Sequence, residues 1–497
     1  MLPEKTQVIL GPPGTGKTST LLQLIENELD SGVSPDKIGF FTFTKRAVNE
    51  GIERAMHKFS LSKKDLPYFK TLHSLSFHQL GLNKEDVFER THLIELNDKL
   101  NIKLTGSQNT EDGTIYSMSK DDRLMFIDNL ARMKKEPLED VWHEVEDAVN
   151  WYALDRFSRG YEAYKKVRRL YDYTDMLTFF LQRGYAPKLD ALFIDEAQDL
   201  SPLQWSVVNK IIEGSHKIYI AGDDDQAIYK WAGADVDYLI NNCKNATVLN
   251  QSYRIPSSVH KLARDTVGRL SKRVAKSWKP KEEQGLVSWE RGFEHIDMSE
   301  GTWLVLARTN YLLNNIIDHC KHEGWFFEVK GNPSITAIKL EGVRNWEKFN
   351  KDEKLSKQDC GTFLRYIKKV AKTQLKMFEG DEKVDRTYVE NIVGVLPRGR
   401  WFECLDMVSI TERSYLQAML RRGEKVLKQP RIRISTIHAA KGAEADNVIL
   451  FTDITHKVFN NYQRDPDDET RVFYVGITRA KKRLYLIEPT TRKYFDL

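Results

Sequence analysis

The feature that most constrains this chain is Gly11-Pro12-Pro13-Gly14-Thr15-Gly16-Lys17-Thr18, a GxxxxGK[ST] run. It follows an apolar run, Val8–Leu10, and precedes a helix-periodic one, Leu21–Leu29. A strand, a glycine-rich loop and a helix in that order let backbone N–H groups and the helix N-terminus converge on phosphate oxygens. Lys17 then offers a point charge to the β- and γ-phosphates, and Thr18 a hydroxyl ligand for Mg2+. Such a site also needs carboxylates at the end of a neighbouring strand, where α/β folds hold their ligands. Ala191-Leu192-Phe193-Ile194 runs into Asp195-Glu196-Ala197-Gln198-Asp199 and supplies them. Asp195 is suited to hold Mg2+, directly or through water, and Glu196 to accept the proton of an attacking water.

Further short apolar runs alternate with longer helical patterns, the signature of parallel α/β sheets. They are Ile38–Phe43, Lys217–Ala221 and Thr247–Leu249, then Trp303–Ala307, Trp325–Val329, Ile432–Thr436, Val448–Phe451 and Leu484–Ile487. Two sheets are expected, meeting around residues 250–300. Residues 78–170 and 332–430 break the alternation with charged, helical patterns and read as insertions. The chain has 497 residues, 41% hydrophobic and 30% charged, which excludes a disordered chain, a collagen-like repeat and a small disulfide scaffold. Lys plus Arg exceeds Asp plus Glu by 76 − 71 = 5, which permits a polyanionic partner without requiring one. The basic stretch Arg269–Lys281 reads as a solvated linker or helix face, with phosphate contact as the alternative.

Cys243, Cys320, Cys360 and Cys404 lie far apart, and His319, Cys320 and His322 have no second ligand pair nearby. No metal cluster or disulfide framework is expected, and a reducing, cytoplasmic setting is. No apolar stretch approaches the roughly 20 residues of a membrane span, and no signal-type leader opens the chain.

The runs GPPGTGKT, TFTKRAVNE, TLHS, YDYTDML, DEAQD, GDDDQAIYKWAGA, QSYRIP, ARTN, STIHAAKGAE and YVGITRA follow one another from residue 11 to about 480. In that order they resemble the UvrD/Rep-type superfamily 1 DNA helicases. The resemblance implies an α/β fold of two RecA-like P-loop domains with parallel sheets, each carrying a mainly helical insertion. Residues 1–77 and 171–255 then form the first RecA-like domain and 78–170 its insertion. Residues 256–331 and 431–497 form the second, with 332–430 a reduced insertion. One ATP with Mg2+ lies between the two domains. Catalytic roles fall on Lys17, Asp195, Glu196, Gln226 as γ-phosphate sensor, Arg254, and Arg479 as arginine finger. Gly11, Pro12, Pro13, Gly14, Thr15, Gly16, Lys17 and Thr18 cradle the nucleotide, Tyr253 stacks on its base, and Gly442 and Glu444 lie near the γ-phosphate and ribose. Thr18 and Asp195 take the metal. Asp223, Asp224 and Asp225 read as part of a turn rather than as metal ligands. Phe43, Tyr229 and Trp231 match base-stacking positions, and Thr71, His73, Arg308, Asn310 and His438 match backbone-contacting or coupling positions.

The activity so implied is ATP-driven translocation on single-stranded DNA, 3′→5′, coupled to unwinding at single/double-strand junctions in replication, repair or recombination. The alternatives are a translocase that strips proteins from DNA and a nucleotide-gated DNA-binding module with little turnover. RNA ranks below DNA on the resemblance alone. The chain departs from the pattern in two places. Ten residues precede Gly11, and Gln7 lies inside the strand, so a segment reading adenine is not evident. The second insertion is shorter than usual, which predicts weak self-inhibition, in a nucleoid-associated or phage-infected setting.

Overall fold

The computed structural model describes residues 2–42, 45–106, 118–145, 149–424 and 429–497. They divide into two compact units, Met1–Trp289 with Thr436–Leu497, and Glu290–Ser435.

The first unit is built on β1 (Thr6–Leu10), β2 (Ile38–Phe41), β3 (Phe69–Lys70), β4 (Leu189–Ile194), β5 (Ser215–Gly222) and β6 (Thr247–Val248). They form a six-stranded sheet in the order β3-β2-β4-β5-β1-β6, with every pairing parallel. Sheets covered on both faces read as near-continuous apolar runs, which is why β1, β2, β4 and β5 are legible in the sequence. Alternate side chains go to opposite faces. Val8 and Leu10 join Phe41, Ile194, Ile218 and Ile220 against the helix Pro202–Glu213. Ile9 joins Phe40, Phe193 and Ala221 against Leu21, Leu22 and Ile25 of the helix Lys17–Asp30. Because β4, β5 and β1 are neighbours, their C-terminal ends bring the Gly11–Thr18 loop, Asp195-Glu196 and the turn after β5 to one edge. The run expected to reach Phe43 ends as a strand at Phe41; Phe43 lies outside the described residues.

The expected first insertion is helical, with His92–Leu100, Lys120–Lys134, Leu138–Glu144 and Trp151–Arg168 packed on their own core of Leu96, Ile127, Val141, Leu154 and Phe157. A charge network ties it to the helix Tyr173–Arg183. Arg132 pairs with Asp172 at 2.8 Å, Asp175 at 3.2 Å and Asp128 at 3.1 Å. Lys165 pairs with Asp172 at 2.6 Å and Asp175 at 2.5 Å. At the C-terminal end of the chain, Ala445–Phe451 and Ala480–Ile487 pair in parallel around the largely buried helix Pro466–Ile477.

In the second unit Phe327–Val329 pairs in parallel with Ile432–Ile434 and antiparallel with Asn332–Pro333, and Trp303–Ala307 is a wholly buried strand. The helices Ala337–Asn350 and Lys357–Leu364 meet over Trp346, Phe349 and Phe363. A two-stranded antiparallel ribbon, Leu355–Ser356 with Lys383–Val384, was not expected, because two-residue strands carry no readable period. The fold is α/β with parallel sheets, as the sequence implies. Among the described residues no helix is long and apolar enough to cross a membrane.

Candidate functional site

In the loop after β1, Gly14 and Gly16 have φ of 72° and 82°, left-handed values that favour glycine. A Cβ on Gly14 would lie 2.3 Å from Arg254 Cβ, and one on Gly11 1.9 Å from Lys17 Cγ, so the missing side chains let Arg254 and the lysine stem close on the loop. Lys17 Nζ donates to the Gly11 carbonyl at 2.7 Å, and Thr15 Oγ1 to that of Pro12 at 2.8 Å. Ser252 Oγ donates to the Pro13 carbonyl at 2.8 Å, and the Tyr253 N–H to that of Gly14 at 2.9 Å. The QSYRIP run is therefore laced to the loop, while the Tyr253 side chain stays exposed.

At the end of β4 the buried Asp195 accepts the Thr18 hydroxyl at 2.8 Å. Burial, helped by the charge of Glu196, pushes the Asp195 carboxyl up to about 6. Burial also acts to raise Glu196, but Lys17, Lys441, a hydrogen bond from Gln198 and Arg479 bring it below the usual carboxylate range. The two adjacent acids are thus driven apart, Asp195 upward and Glu196 downward. Glu196 sits at φ 55°, a backbone conformation uncommon outside glycine that recurs at functional sites. Gln198 Nε2 donates to Glu196 Oε2 at 2.5 Å, while its Oε1 accepts the Asp223 N–H at 2.9 Å. That bridge links the ends of β4 and β5.

Gln226 follows β5. Its Nε2 donates to Asp223 Oδ2 at 2.6 Å and its Oε1 accepts Arg479 Nη2 at 3.0 Å. Lys441 Nζ reaches both oxygens of Asp199 at 2.6 Å and the Gln226 carbonyl at 2.8 Å. Arg254 Nη2 pairs with Glu444 Oε2 at 2.5 Å, and its Nε is buried without a hydrogen-bond partner. Gly442, at φ 80°, lies in the turn that carries Lys441 and Glu444. Arg479 is only 2% exposed, and among the described residues no carboxylate pairs with it. Burial first, and Arg254 second, lower its pKa to about 9. A buried cation in that state gains strongly from an arriving anion.

These residues fit a nucleoside triphosphate with Mg2+. The loop leaves no room for a Cβ at Gly14, and Arg254 keeps an unpartnered buried Nε. Among the described residues Arg479 bonds only neutral acceptors and so keeps an unpaired charge, and Thr18 with Asp195 offers two oxygens of the kind Mg2+ prefers. Among the described residues no group of three or more His, Cys, Asp or Glu could hold a metal by itself, so the phosphates and water would complete the shell.

The description "UvrD/REP helicase N-terminal domain" matches residues 1–247, and "UvrD-like helicase C-terminal domain" matches residues 347–490. The chain belongs to the UvrD/Rep-type superfamily 1 helicases. It is 25% identical to the ATP-dependent DNA helicase PcrA of Staphylococcus aureus (strain Mu50) over 288 residues, 54% of this chain and 39% of that protein. It is 23% identical to the putative ATP-dependent DNA helicase YjcD of Bacillus subtilis (strain 168), over 54% of this chain and 37% of that protein. With the ATP-dependent DNA helicase Rep of Buchnera aphidicola it shares 22% identity, over 96% of this chain and 88% of that protein. The chain thus spans well under half of the first two relatives and most of the third.

The residues that UvrD/Rep likeness assigns to DNA are less uniformly placed. Trp231 lies near-parallel to Phe126 (centroids 6.2 Å apart, 12°) and edge-on to Tyr229 and His438, each 6.4 Å away. Lys441 Nζ sits 4.9 Å from the centre of the Tyr229 ring. Thr71 caps the helix Leu72–Gln79, accepting the Ser74 N–H at 3.2 Å. His73 packs edge-on against Tyr173, and burial holds its imidazole down at about 4. Both line a cavity of about 100 Å³ with Phe41, Asp195 and Gln204. Arg308, 4% exposed, and Asn310 belong to the other compact unit.

Several site residues were missed in the sequence. Gln198, Asp199, Ser252 and Lys441 stood inside the motif runs without a role, and Phe126 lies outside every run. Within the basic stretch Arg269–Lys281, Arg269, Lys272 and Lys279 are exposed, as a solvated linker would have them, but the Lys276 side chain is fully buried and ion-paired with the aspartates after β5.

Proposed function

We propose that this chain is a Mg2+- and ATP-dependent DNA helicase, a DNA-stimulated ATPase that translocates on single-stranded DNA in the 3′→5′ direction and unwinds at single/double-strand junctions. The observation that carries the reading is the gathering of Lys17, Asp195, Glu196, Gln226, Arg254 and Arg479 at one edge of the first sheet, from five separate stretches of sequence. Lys17 and the loop N–H groups hold the phosphates, Tyr253 offers a ring to the base, and Gly442 and Glu444 lie beside Arg254 and Arg479. Thr18 and Asp195 would hold Mg2+, which would supply charge neutralisation for the phosphates when bound. Glu196, ionised, takes the proton from the attacking water, and Gln226 orients beside it. Arg254 and Arg479 stabilise charge developing on the γ-oxygens. The domains proposed are those the family likeness implies, 1–77 with 171–255 and 256–331 with 431–497, carrying the insertions 78–170 and 332–430; this division differs from the compact units, in which 436–497 groups with 1–289. Phe43, Tyr229 and Trp231 stack on bases, while Thr71, His73, Arg308, Asn310 and His438 take the strand's backbone or relay its presence. The four free, buried cysteines suit a cytoplasmic setting. The polarity rests on the family likeness alone, and the unwinding on that likeness and on the similarity to the ATP-dependent DNA helicases PcrA and Rep. Phosphate release with and without single-stranded DNA tests the ATPase, and strand displacement from duplexes with a 3′ or a 5′ tail tests the rest. No displacement alongside DNA-stimulated turnover would favour the protein-stripping translocase.

A further inference from the structure

Two charge features that stand apart in the sequence, Asp223-Asp224-Asp225 and Arg269–Lys281, meet in the interior of the first unit. Lys276 Nζ pairs with Asp223 at 3.1 Å, with Asp225 at 2.9 Å and with Asp224, and its side chain is 0% exposed. Arg273 adds a two-pronged pair to Asp225 at 2.9 and 2.7 Å, and the Val274 N–H donates to Asp224 Oδ2 at 2.8 Å. Three carboxylates facing two cations leave one negative charge over. Arg471 lies beside the cluster but makes no ion pair with these three carboxylates: its Nε goes to the Asp224 carbonyl at 3.1 Å and its Nη2 to that of Lys272 at 2.7 Å.

The cluster ends on the nucleotide site. Asp223 Oδ1 is engaged by Lys276, and Asp223 Oδ2 accepts Gln226 Nε2 at 2.6 Å. An amide has one donor end and one acceptor end, so this donation turns Gln226 Oε1 toward Arg479 Nη2, 3.0 Å away. Lys276 thereby acts on Gln226 through one carboxylate, and on Arg479 through Gln226.

We propose that Lys276 is a positioning residue for γ-phosphate sensing: by holding one oxygen of Asp223 it sets the amide of Gln226 and, through it, the Arg479 guanidinium. The inference rests on the ATPase reading above and adds a residue outside the motif runs to its machinery. Segment 269–281 is then part of the response to nucleotide rather than a passive connection. A plain charge-neutralising role is the rival account, and the two separate in a double-mutant cycle.

Lys276→Met alone leaves buried carboxylates unpaired and could fail to fold. Asp223→Asn is near-isosteric and leaves two carboxylates facing two cations. Its Oδ1 is drawn to Lys276, which turns its NH2 toward Gln226 Nε2, donor against donor, and forces the glutamine amide over. Asp223→Asn with Lys276→Met restores the original excess of one negative charge and frees the introduced amide to turn its oxygen to Gln226. The readouts are thermal unfolding, the affinity ratio of a non-hydrolysable ATP analogue to ADP, and kcat against KM for ATP. Asp223→Asn is expected to fold and to lose about tenfold in the triphosphate preference, with kcat falling more than KM changes. The double variant is expected to return to within about threefold of wild type. An unchanged ratio in Asp223→Asn, or no recovery in a folded double variant, overturns the proposal. A wild type that binds both nucleotides without turnover sinks the ATPase reading, while the ratio still decides this one. Binding of neither sinks both.

Discussion

Gly14 and Gly16 share a left-handed backbone but not a neighbourhood, so alanine should act differently at each. Nothing lies nearer to a Cβ on Gly16 than Ser19 Cβ at 3.8 Å, and Gly16→Ala should cost only the backbone strain, about 1–2 kcal/mol. On Gly14 the Cβ meets Arg254 Cβ and the Arg254 backbone nitrogen. Gly14→Ala should therefore lose more stability, and nucleotide affinity with it; equal unfolding free energies for the two variants would contradict the packing described. Arg479→Ala should lower kcat by about 10³-fold with a smaller effect on nucleotide binding, measured by phosphate release and by titration. Trp231→Ala should weaken single-strand affinity by about 1–3 kcal/mol, measured by fluorescence anisotropy; unchanged affinity would remove Trp231 from the DNA site. Lys17, Thr18, Asp195 and Glu196 were legible because their chemistry is packed into contiguous runs. Ser252 and Lys441 were not, because their roles are contacts to Pro13 and Asp199, 239 and 242 positions away.

At the scale of elements, the helix Lys120–Lys134 joins two parts of the first unit. Its Phe126 lies beside Trp231, and its Arg132 anchors on Asp128, Asp172 and Asp175. Burial acts to raise Asp172, yet Arg132 and Lys165 hold it well below the usual carboxylate range. A carboxylate depressed in the folded state adds stability above its unfolded pKa, and that stability is lost as pH falls through the folded value. Arg132→Met should remove about 3 kcal/mol at neutral pH, and the deficit should shrink on acidification below about pH 4. Denaturant unfolding of both proteins across pH checks the size and the sign. The long strands of the first sheet were readable from their apolar runs, since burial on both faces leaves little polar punctuation. The Leu355–Ser356 ribbon and the ion-pair network were not, because charged residues in a helix read as a solvated face until their partners are placed.

At the scale of the molecule, the α/β class and the order of its parts were legible because motif order carries information that no single run does. The burial of Lys276 within the otherwise largely exposed segment 269–281 was not, because a basic run is equally compatible with solvent, phosphate or buried acids, and only the fold supplies Asp223–Asp225. DNA binding should weaken steeply and log-linearly with salt as phosphate contacts release counterions. The central claim is that the edge of the first sheet is a phosphoryl-transfer site worked by a single strand. Its most direct test is steady-state phosphate release from saturating Mg2+-ATP with and without an oligodeoxythymidine, for the wild type and Lys17→Ala. The account predicts turnover that rises on adding the strand and vanishes in Lys17→Ala while strand binding persists. Equal rates with and without the strand, or undiminished turnover in Lys17→Ala, would contradict it.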